Sequence, residues 1–532
     1  MARRGRGIVA AAVATIPVAF LGGFFIWPLG ATLGRAFGGE EIAGVSSSID
    51  GRQLMLAAMT TLGLAAGATV VALATGLPAA LALHRSKWRG AHAINAALSA
   101  PFVLPTVVVA LAFLQLERSI APWLSASRGV PGIVAALAFF NVAVVLRTVG
   151  PAIESVDERL IWAARALGAS PLGVVTRVIW PSARKAVGAA AATTFLFCST
   201  SFAVVLILGG TRVRTLEAAT YLEVTTFLDL RAAAVIALVQ AGLLVSVTVV
   251  VARLTRESSI STPTRARHAP PLTWSLAIGR VACLAPAAVL IASPLVALGL
   301  SSVGGLRHPT TRHFVALWAG SDQVAPLTSA LRTSLGVAVA AAATAMTIAT
   351  AVLVAGALDR RWRWLNALAA GPLAVSSVVV GVGLLIGVAV HWRSWPLGVH
   401  VLLIAAQTLV ALPIVLRVMS PAIARIDPRQ RAAAATLGAS PLVTTIRVVL
   451  PQIRTAVASA AGISFAVAIG EFGASVFLAR PDAPTVPTTI LRLLGRPGAD
   501  SVPTATAAAV VLAIVTAGVF VIMDVQPRRR LK

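Results

Sequence analysis

A chain of 532 residues that is 58% hydrophobic and only 12% charged, with a mean hydropathy of +0.89, carries more apolar surface than a soluble domain can bury, which excludes a water-soluble globular protein. Its net charge of +26 comes from basic residues in short segments between apolar runs. That distribution fits lipid headgroups and positive-inside loops and argues against a nucleic-acid partner. The two cysteines, Cys198 and Cys283, both lie inside apolar runs and exclude a disulfide framework or a cysteine metal box.

The N-terminal Met1-Ala-Arg-Arg-Gly-Arg precedes an apolar run from Ile8 to Leu33. The charge pattern is that of a signal peptide, but the run is too long for a cleaved one, so it reads as an uncleaved first span. Apolar runs of about 20 residues predict twelve spans in all. Six fall near 8–34, 54–83, 93–116, 130–150, 187–209 and 232–253. The other six fall near 276–303, 328–357, 365–390, 397–418, 457–479 and 504–524. The predicted fold class is an all-α polytopic membrane protein built as two parallel six-helix repeats. The predicted domains are a first half over 1–254, a linker over 255–274 and a second half over 275–532. The stretch from Arg253 to Thr273 is rich in Ser, Thr, Pro and Arg and cannot bury a core.

Charge tests this topology. Segments assigned to the cytoplasm carry 29 of the 44 Lys and Arg residues, which places both termini there and gives the halves the same orientation. The localisation expected is the plasma membrane. Arg85-Ser-Lys87-Trp88-Arg89 and Asp359-Arg-Arg-Trp362-Arg363-Trp364 read as basic hairpins with headgroup-anchoring tryptophans. Outer loops at 211–230 and 480–503 carry Glu217, Glu223, Asp229 and Asp482, expected mostly as solvated charges. Pro101, Pro105 and Pro372 fall within spans, where they can kink helices and free carbonyls.

One segment occurs twice, 270 residues apart. Leu167-Gly168-Ala169-Ser170-Pro171-Leu172 returns as Leu437-Gly438-Ala439-Ser440-Pro441-Leu442, and 147–187 matches 417–457 at 20 of 41 positions without a gap. Each copy predicts two short helices with a turn between them. Ala163-Ala164 and Ala433-Ala434 favour helix. Gly168 and Gly438 suit a left-handed C-terminal turn. Ser170-Pro171 and Ser440-Pro441 fit an N-cap followed by Pro at the first helical position. The second helix is expected to end before Pro181 and Pro451, where the chain returns to the membrane. A compact, rigid element of this kind is suited to dock in a cleft of another protein.

The pattern resembles the EAA loop of type I ABC-importer permeases: Glu-Ala-Ala, three residues, Gly, nine residues, Ile, one residue, Leu-Pro. The first copy matches at Ala163, Ala164, Gly168, Val178 and Pro181. The second matches at Ala433, Ala434, Gly438, Val448, Leu450 and Pro451. The acidic position departs, being Trp162 in one copy and Ala432 in the other, and Trp180 replaces the usual Leu. The resemblance covers nearly the whole chain. It implies ATPase-coupling loops at 151–187 and 421–457, two copies of a cytoplasmic ABC ATPase, and an extracytoplasmic solute-binding protein. A fused permease of two six-span halves is similar to the ferric-iron and thiamine branch. The text around Phe139-Phe140-Asn141, Ser201-Phe202-Ala203, Thr215-Leu216-Glu217…Tyr221 and Ile469-Gly470-Glu471-Phe472-Gly473 looks like its thiamine members. Thiamine and ferric iron both stand as substrates.

Only three lysines occur, Lys87, Lys185 and Lys532, and none lies in a P-loop. The expected division of labour is a transport subunit without catalytic residues, cofactor or metal site, with ATP hydrolysed by separate chains. Glu471 falls within the eleventh predicted span, where an ionisable group is costly and is by default a functional candidate. It reads either as a pathway or gate residue or as an interhelical hydrogen-bonding group. Its repeat counterpart is Ser201. Two other functions compete with the importer. A 6+6 secondary transporter needs ion-coupling carboxylates within spans, which this chain has few of. A membrane enzyme or scaffold has no catalytic constellation to support it.

Overall fold

The computed structural model describes residues 2–38, 50–84, 90–119, 129–210, 212–256, 277–305, 309–319, 326–390, 392, 395, 398–498 and 500–528. The basic hairpin expected at 85–89 and the linker from residue 257 onward lie outside the described residues. Among the described residues the ordered elements are helices, apart from an isolated antiparallel bridge between Arg480 and Ala483.

The first half supplies α1 (Gly7–Phe37), α2 (Gly51–His84), α3 (Ala91–Ser99), α4 (Thr106–Ser119), α5 (Val130–Glu154), α6 (Glu158–Ala166), α7 (Pro171–Cys198), α8 (Phe202–Gly209), α9 (Leu216–Leu222) and α10 (Leu230–Arg256). The second supplies α11 (Ala277–Ser302), α12 (Leu327–Leu358), α13 (Arg360–Ala374), α14 (Ser377–Ala389), α15 (Gly398–Ala424), α16 (Pro428–Thr436), α17 (441–469), α18 (Ser475–Leu478), α19 (Val486–Leu494) and α20 (Ser501–Arg528). Among the described residues, nine helices are long and apolar enough to cross a membrane. Two bent pairs, α7 with α8 (58°) and α13 with α14 (98°), bring the number to eleven.

The predicted span near 93–116 is not one helix. It is α3 and α4, parted by residues 100–105, and neither piece meets the length of a span. The cause is local. Leu104 is extended (φ −71°, ψ 139°), as a residue before proline prefers, and Pro101 and Pro105 lack amide donors. A second difference concerns the outer loops. Both contain helices, α9 and α19, and Glu217 is buried. The N–H of Leu216 donates to Thr61 Oγ1 at 3.1 Å, which draws α9 onto α2 and takes Glu217 out of solvent.

The chain divides into two compact units. One comprises residues 48–219 and 242–309. Its core joins α2, α5 and α7 with Leu284, Ala287 and Ile291 of α11. Small side chains, Ala65, Ala68, Ala72 and Ala79, are fully buried along α2 and let helices approach closely, which is what packs helices in lipid. A Cβ on Gly76 would lie 2.9 Å from Val145 of α5. The other unit comprises residues 1–47, 220–241 and 310–532. Its core joins Ala14, Leu21 and Phe25 of α1 to α12 and α15. Thr408 of α15 donates to the Ala341 carbonyl of α12 at 3.3 Å. Each unit thus includes helix from the other sequence half, α11 in one and α1 with the start of α10 in the other, and the units are a different partition from the sequence halves.

Gly76→Leu is expected to destabilise the chain by about 1–3 kcal/mol through overpacking, read as a lower melting temperature in detergent. Gly63→Leu, on the same helix where nothing lies within 4 Å of an added Cβ, should change it by less than about 0.5 kcal/mol.

Candidate functional site

The repeated loops fold alike. In the first, Asp157 caps α6 by accepting the Arg159 N–H at 2.9 Å. The helix ends in a Schellman turn: the Gly168 N–H donates to the Arg165 carbonyl and the Ala169 N–H to the Ala164 carbonyl, both at 2.9 Å. Gly168 has φ +79°, which side chains other than Gly or Asn adopt only at a cost. Ser170 then caps α7, accepting the Gly173 N–H at 3.1 Å, with Pro171 at the first helical position. In the second, Asp427 accepts from Arg429 at 2.8 Å. Gly438 donates to Ala435 at 3.1 Å and Ala439 to Ala434 at 3.0 Å. Gly438 has the same φ of +79°, and Ser440 accepts from Val443 at 3.3 Å.

The expected stop before Pro181 and Pro451 does not occur. The helices beginning at Pro171 and Pro441 each pass through a π-helical turn, Val175–Ile179 and Thr445–Val449, and run on into the membrane. Pro removes one helical hydrogen bond and crowds the carbonyl four residues back. The wider turn just ahead of each proline accommodates that defect without ending the helix. The second helix of each loop and the span that follows it are therefore one continuous rod.

Inner and outer faces separate cleanly in the first loop. Ile153, Val156, Ile161, Val174 and Ile179 are buried in the unit's core. Leu160, Trp162, Leu167 and Leu172 are exposed. Ala163 faces solvent, while Ala164 and Ala169 pack against the core. In the second loop Ile426 is buried, whereas Thr444 and Val449, the counterparts of Val174 and Ile179, are only partly so. Nothing lies within 4 Å of a Cβ built on Gly168 or Gly438. Glycine is required there by the backbone angle and not by space within this chain.

Glu471 sits where α17 stops and α18 begins. Its carboxylate accepts from the Ala474 N–H at 2.8 Å, the Ser475 N–H at 3.1 Å and the Ser475 hydroxyl at 2.7 Å. The Ser377 side chain, at the start of α14, adds a further bond. The end of α17 meets the bent pair α13 and α14 here. A Cβ on Gly381 of α14 would lie 2.7 Å from the Ala474 Cα, and one on Gly473 would run into Ser377 Oγ. Beside them, Tyr221 packs edge-on against Phe477 at 6.0 Å, and Val224, Ala233 and Val382 form a small core. The carboxylate closes the backbone of a broken span. Ser201, its repeat counterpart, bonds the Phe197 carbonyl at 3.0 Å.

Sequence reading passed over a set of buried polar atoms within the spans. Asn141 Oδ1, Thr194 Oγ1, both amide atoms of Gln240, Gln407 Oε1 and Ser464 Oγ have no hydrogen-bond partner among the described residues. Lone amides in apolar runs were visible as text. Thr194 and Ser464 are repeat counterparts, so the 270-residue offset pairs them as well. Among the described residues no group of His, Cys, Asp or Glu is arranged to hold a metal ion.

Glu471→Gln places an amide NH₂ against backbone N–H donors and leaves a buried donor unsatisfied, a loss of about 1–3 kcal/mol. Uptake is expected to fall at least tenfold while the protein still assembles. Unchanged transport kinetics would remove Glu471 from any role in the working cycle.

Residues 72–257 and 348–532 both match the family described as binding-protein-dependent transport system inner membrane component. Each matched region contains one repeated loop, and the second contains Glu471. The thiamine transport system permease protein of Brucella abortus is 23% identical over 454 residues, 82% of this chain and 81% of the relative. The probable molybdenum ABC transporter permease protein of Haloferax volcanii is 30% identical over 192 residues, 35% of this chain and 69% of the relative. A Salmonella typhimurium permease named for 2-aminoethylphosphonate transport is 26% identical over 242 residues, 42% of this chain and 85% of the relative. The chain belongs to the binding-protein-dependent transport system inner membrane components and is a multi-pass permease of an ABC importer, carrying the family's matched region twice.

Proposed function

We propose that this chain alone forms the translocation pathway of an ATP-driven importer, with 1–254 and 275–532 as its two permease halves. The observation that carries it is the pair of Schellman turns with φ +79° at both Gly168 and Gly438, each followed by a Ser-Pro cap. Two copies of an ATPase subunit dock on the loops at 151–187 and 421–457. Both termini face the cytoplasm on this assignment, in keeping with the basic bias of the segments placed there. A solute-binding protein delivers substrate from the other side.

The mechanism follows from how the loops are built. The second helix of each loop is one rod with a membrane span, and the first loop is pinned to its unit's core by Ile161, Val174 and Ile179. Movement of a docked ATPase is therefore passed to the spans as a rigid displacement. Little is absorbed by bending, because caps at Asp157, Ser170, Asp427 and Ser440 hold the helix ends. Glu471 belongs to this cycle as a gate residue. Three of its donors lie in its own turn and the fourth, Ser377, lies on α14, so the carboxylate ties α14 to the end of α17, and opening there needs that bond exchanged.

Thiamine is the substrate we place first, because the thiamine relative matches this chain over 82% of its length. The molybdenum and aminoethylphosphonate relatives each match less than half. The test is ATPase activity of the assembled complex in lipid, with binding protein loaded with thiamine, ferric iron or molybdate. Stimulation by thiamine-loaded protein alone is expected. Stimulation by another ligand would keep the importer and replace the substrate. An assembled complex that no loaded binding protein stimulates would overturn binding-protein delivery.

The turn gives a second test. Gly168→Asn should retain coupled uptake, since Asn tolerates a left-handed backbone. Gly168→Val should uncouple ATP hydrolysis from uptake, because a β-branched residue at φ +79° strains the turn by roughly 1–2 kcal/mol. Equal coupling in both variants would show that turn geometry does not matter.

A further inference from the structure

We propose that the two loops are not equivalent docking sites. The first is the affinity anchor, and it holds its ATPase through the indole of Trp162. This rests on the docking role assigned to the loops above.

Four observations separate the copies. Trp162 is 53% exposed at the position where the motif's acidic residue stands, and its counterpart is Ala432. An indole left half-exposed beside exposed Leu160, Leu167 (89%) and Leu172 (67%) is a surface that gains from being covered. Tryptophan is the residue type that most often dominates a protein interface when buried at its centre. The inner faces differ too: buried Ile161 corresponds to Arg431, and buried Val174 to Thr444. The roots of the loops differ as well. Glu154, at the end of α5, pairs with His84 Nδ1 of α2 at 2.6 Å. The repeat counterpart of Glu154 is Ala424, whose methyl group cannot form such a pair. The second loop is tied differently, by Gln452 Nε2 donating to Gln430 Oε1 and to the Val448 carbonyl, both at 2.8 Å.

The first loop therefore offers a preorganised apolar contact on a pinned base, which lowers the ordering cost of binding. The second offers a methyl group in its place. The partner surface follows from the same residues. Arg159, Arg177 and Arg184 are exposed in the same loop as the apolar side chains, so the occupant proposed is an ATPase face with an apolar recess and acidic groups near it. Where both ATPase copies are identical, that recess is filled at the first loop and left partly empty at the second.

The experiment uses the full chain in lipid nanodiscs and the ATPase expressed from the neighbouring genes, with binding followed by titration at fixed ionic strength. Trp162→Ala is expected to weaken the tighter of the two binding events at least tenfold. Trp162→Phe should stay within about threefold, because the aromatic contact is kept. Ala432→Trp should tighten the weaker event, bringing the two toward equal affinity. Size-exclusion profiles check that each variant remains assembled; Trp162 is exposed, so its loss does not open the core. A Trp162→Ala chain that binds within twofold of the parent would overturn the anchor and leave the indole a headgroup contact. Two equal affinities in the parent would overturn the inequivalence while leaving docking intact. No ATPase binding by the parent would overturn the docking role itself.

Discussion

Inside a bilayer no water is available to satisfy a backbone that leaves its helix, so every break in a span must be closed by protein groups. That constraint explains the most unusual features of this chain. The break after Ile469 exposes the amides of Ala474 and Ser475, and Glu471 covers both. The break between α13 and α14 is closed by Ser376, whose hydroxyl accepts the Val379 N–H at 3.4 Å. Thr485 and Thr488 form a capping box at the start of α19. A carboxylate at this depth is costly unless its oxygens are met, and here four donors meet them. The carboxylate that the sequence marks as a functional candidate caps, in the fold, the backbone amides beyond the end of α17.

The repeated loops were legible in the sequence because their shape depends on residues with local mechanics. Gly168 and Gly438 announce a left-handed turn, Ser170 and Ser440 a cap, Asp157 and Asp427 another, and each does so without reference to anything distant. The long spans were legible for a similar reason, since hydropathy and length are properties of a segment. What was not legible depends on neighbours. No single segment reveals that α11 packs with α2 and α5, because an apolar helix carries no record of which unit it joins. Leu104 and Val375 break their spans through extended backbones that hydropathy does not register. The π turns ahead of Pro181 and Pro451 were read as helix ends, because proline states that a bond is lost but not how the helix absorbs the loss. Glu217 is buried beside Leu216, whose N–H reaches Thr61 more than 150 residues away, and nothing local in the sequence shows that.

The repeat keeps some features and changes others, and the division is physical. Backbone geometry is the same in both loops: the same φ at glycine, the same two Schellman bonds, the same caps, the same π turn. Side chains on the inner and outer faces are free to differ, because they answer to different neighbours. The same holds within the spans. Thr194 and Ser464 keep a hydroxyl at one repeat position in the two halves, whereas Glu471 and Ser201 differ. At that position one half has a carboxylate that gathers four donors and the other a hydroxyl that returns to its own helix. The two halves therefore cap the end of this helix by different means.

Such a division matters for a machine that must pass motion between two proteins. Shape carries the motion, and it has to be alike in both loops if two ATPases are to push through equal strokes. Affinity decides only whether each ATPase stays seated, and it can differ without unbalancing the stroke. A glycine turn clamped by its own backbone bonds sets the lever independently of the side chains around it. That independence is what allows Trp162 to stand opposite Ala432 in the repeat. Were the lever held by the side chain at that position, replacing its acid with an indole in one copy and a methyl in the other would have altered two different strokes. Because the Schellman bonds hold it, Trp162 and Ala432 stand at one position of the repeat while the turn geometry stays the same.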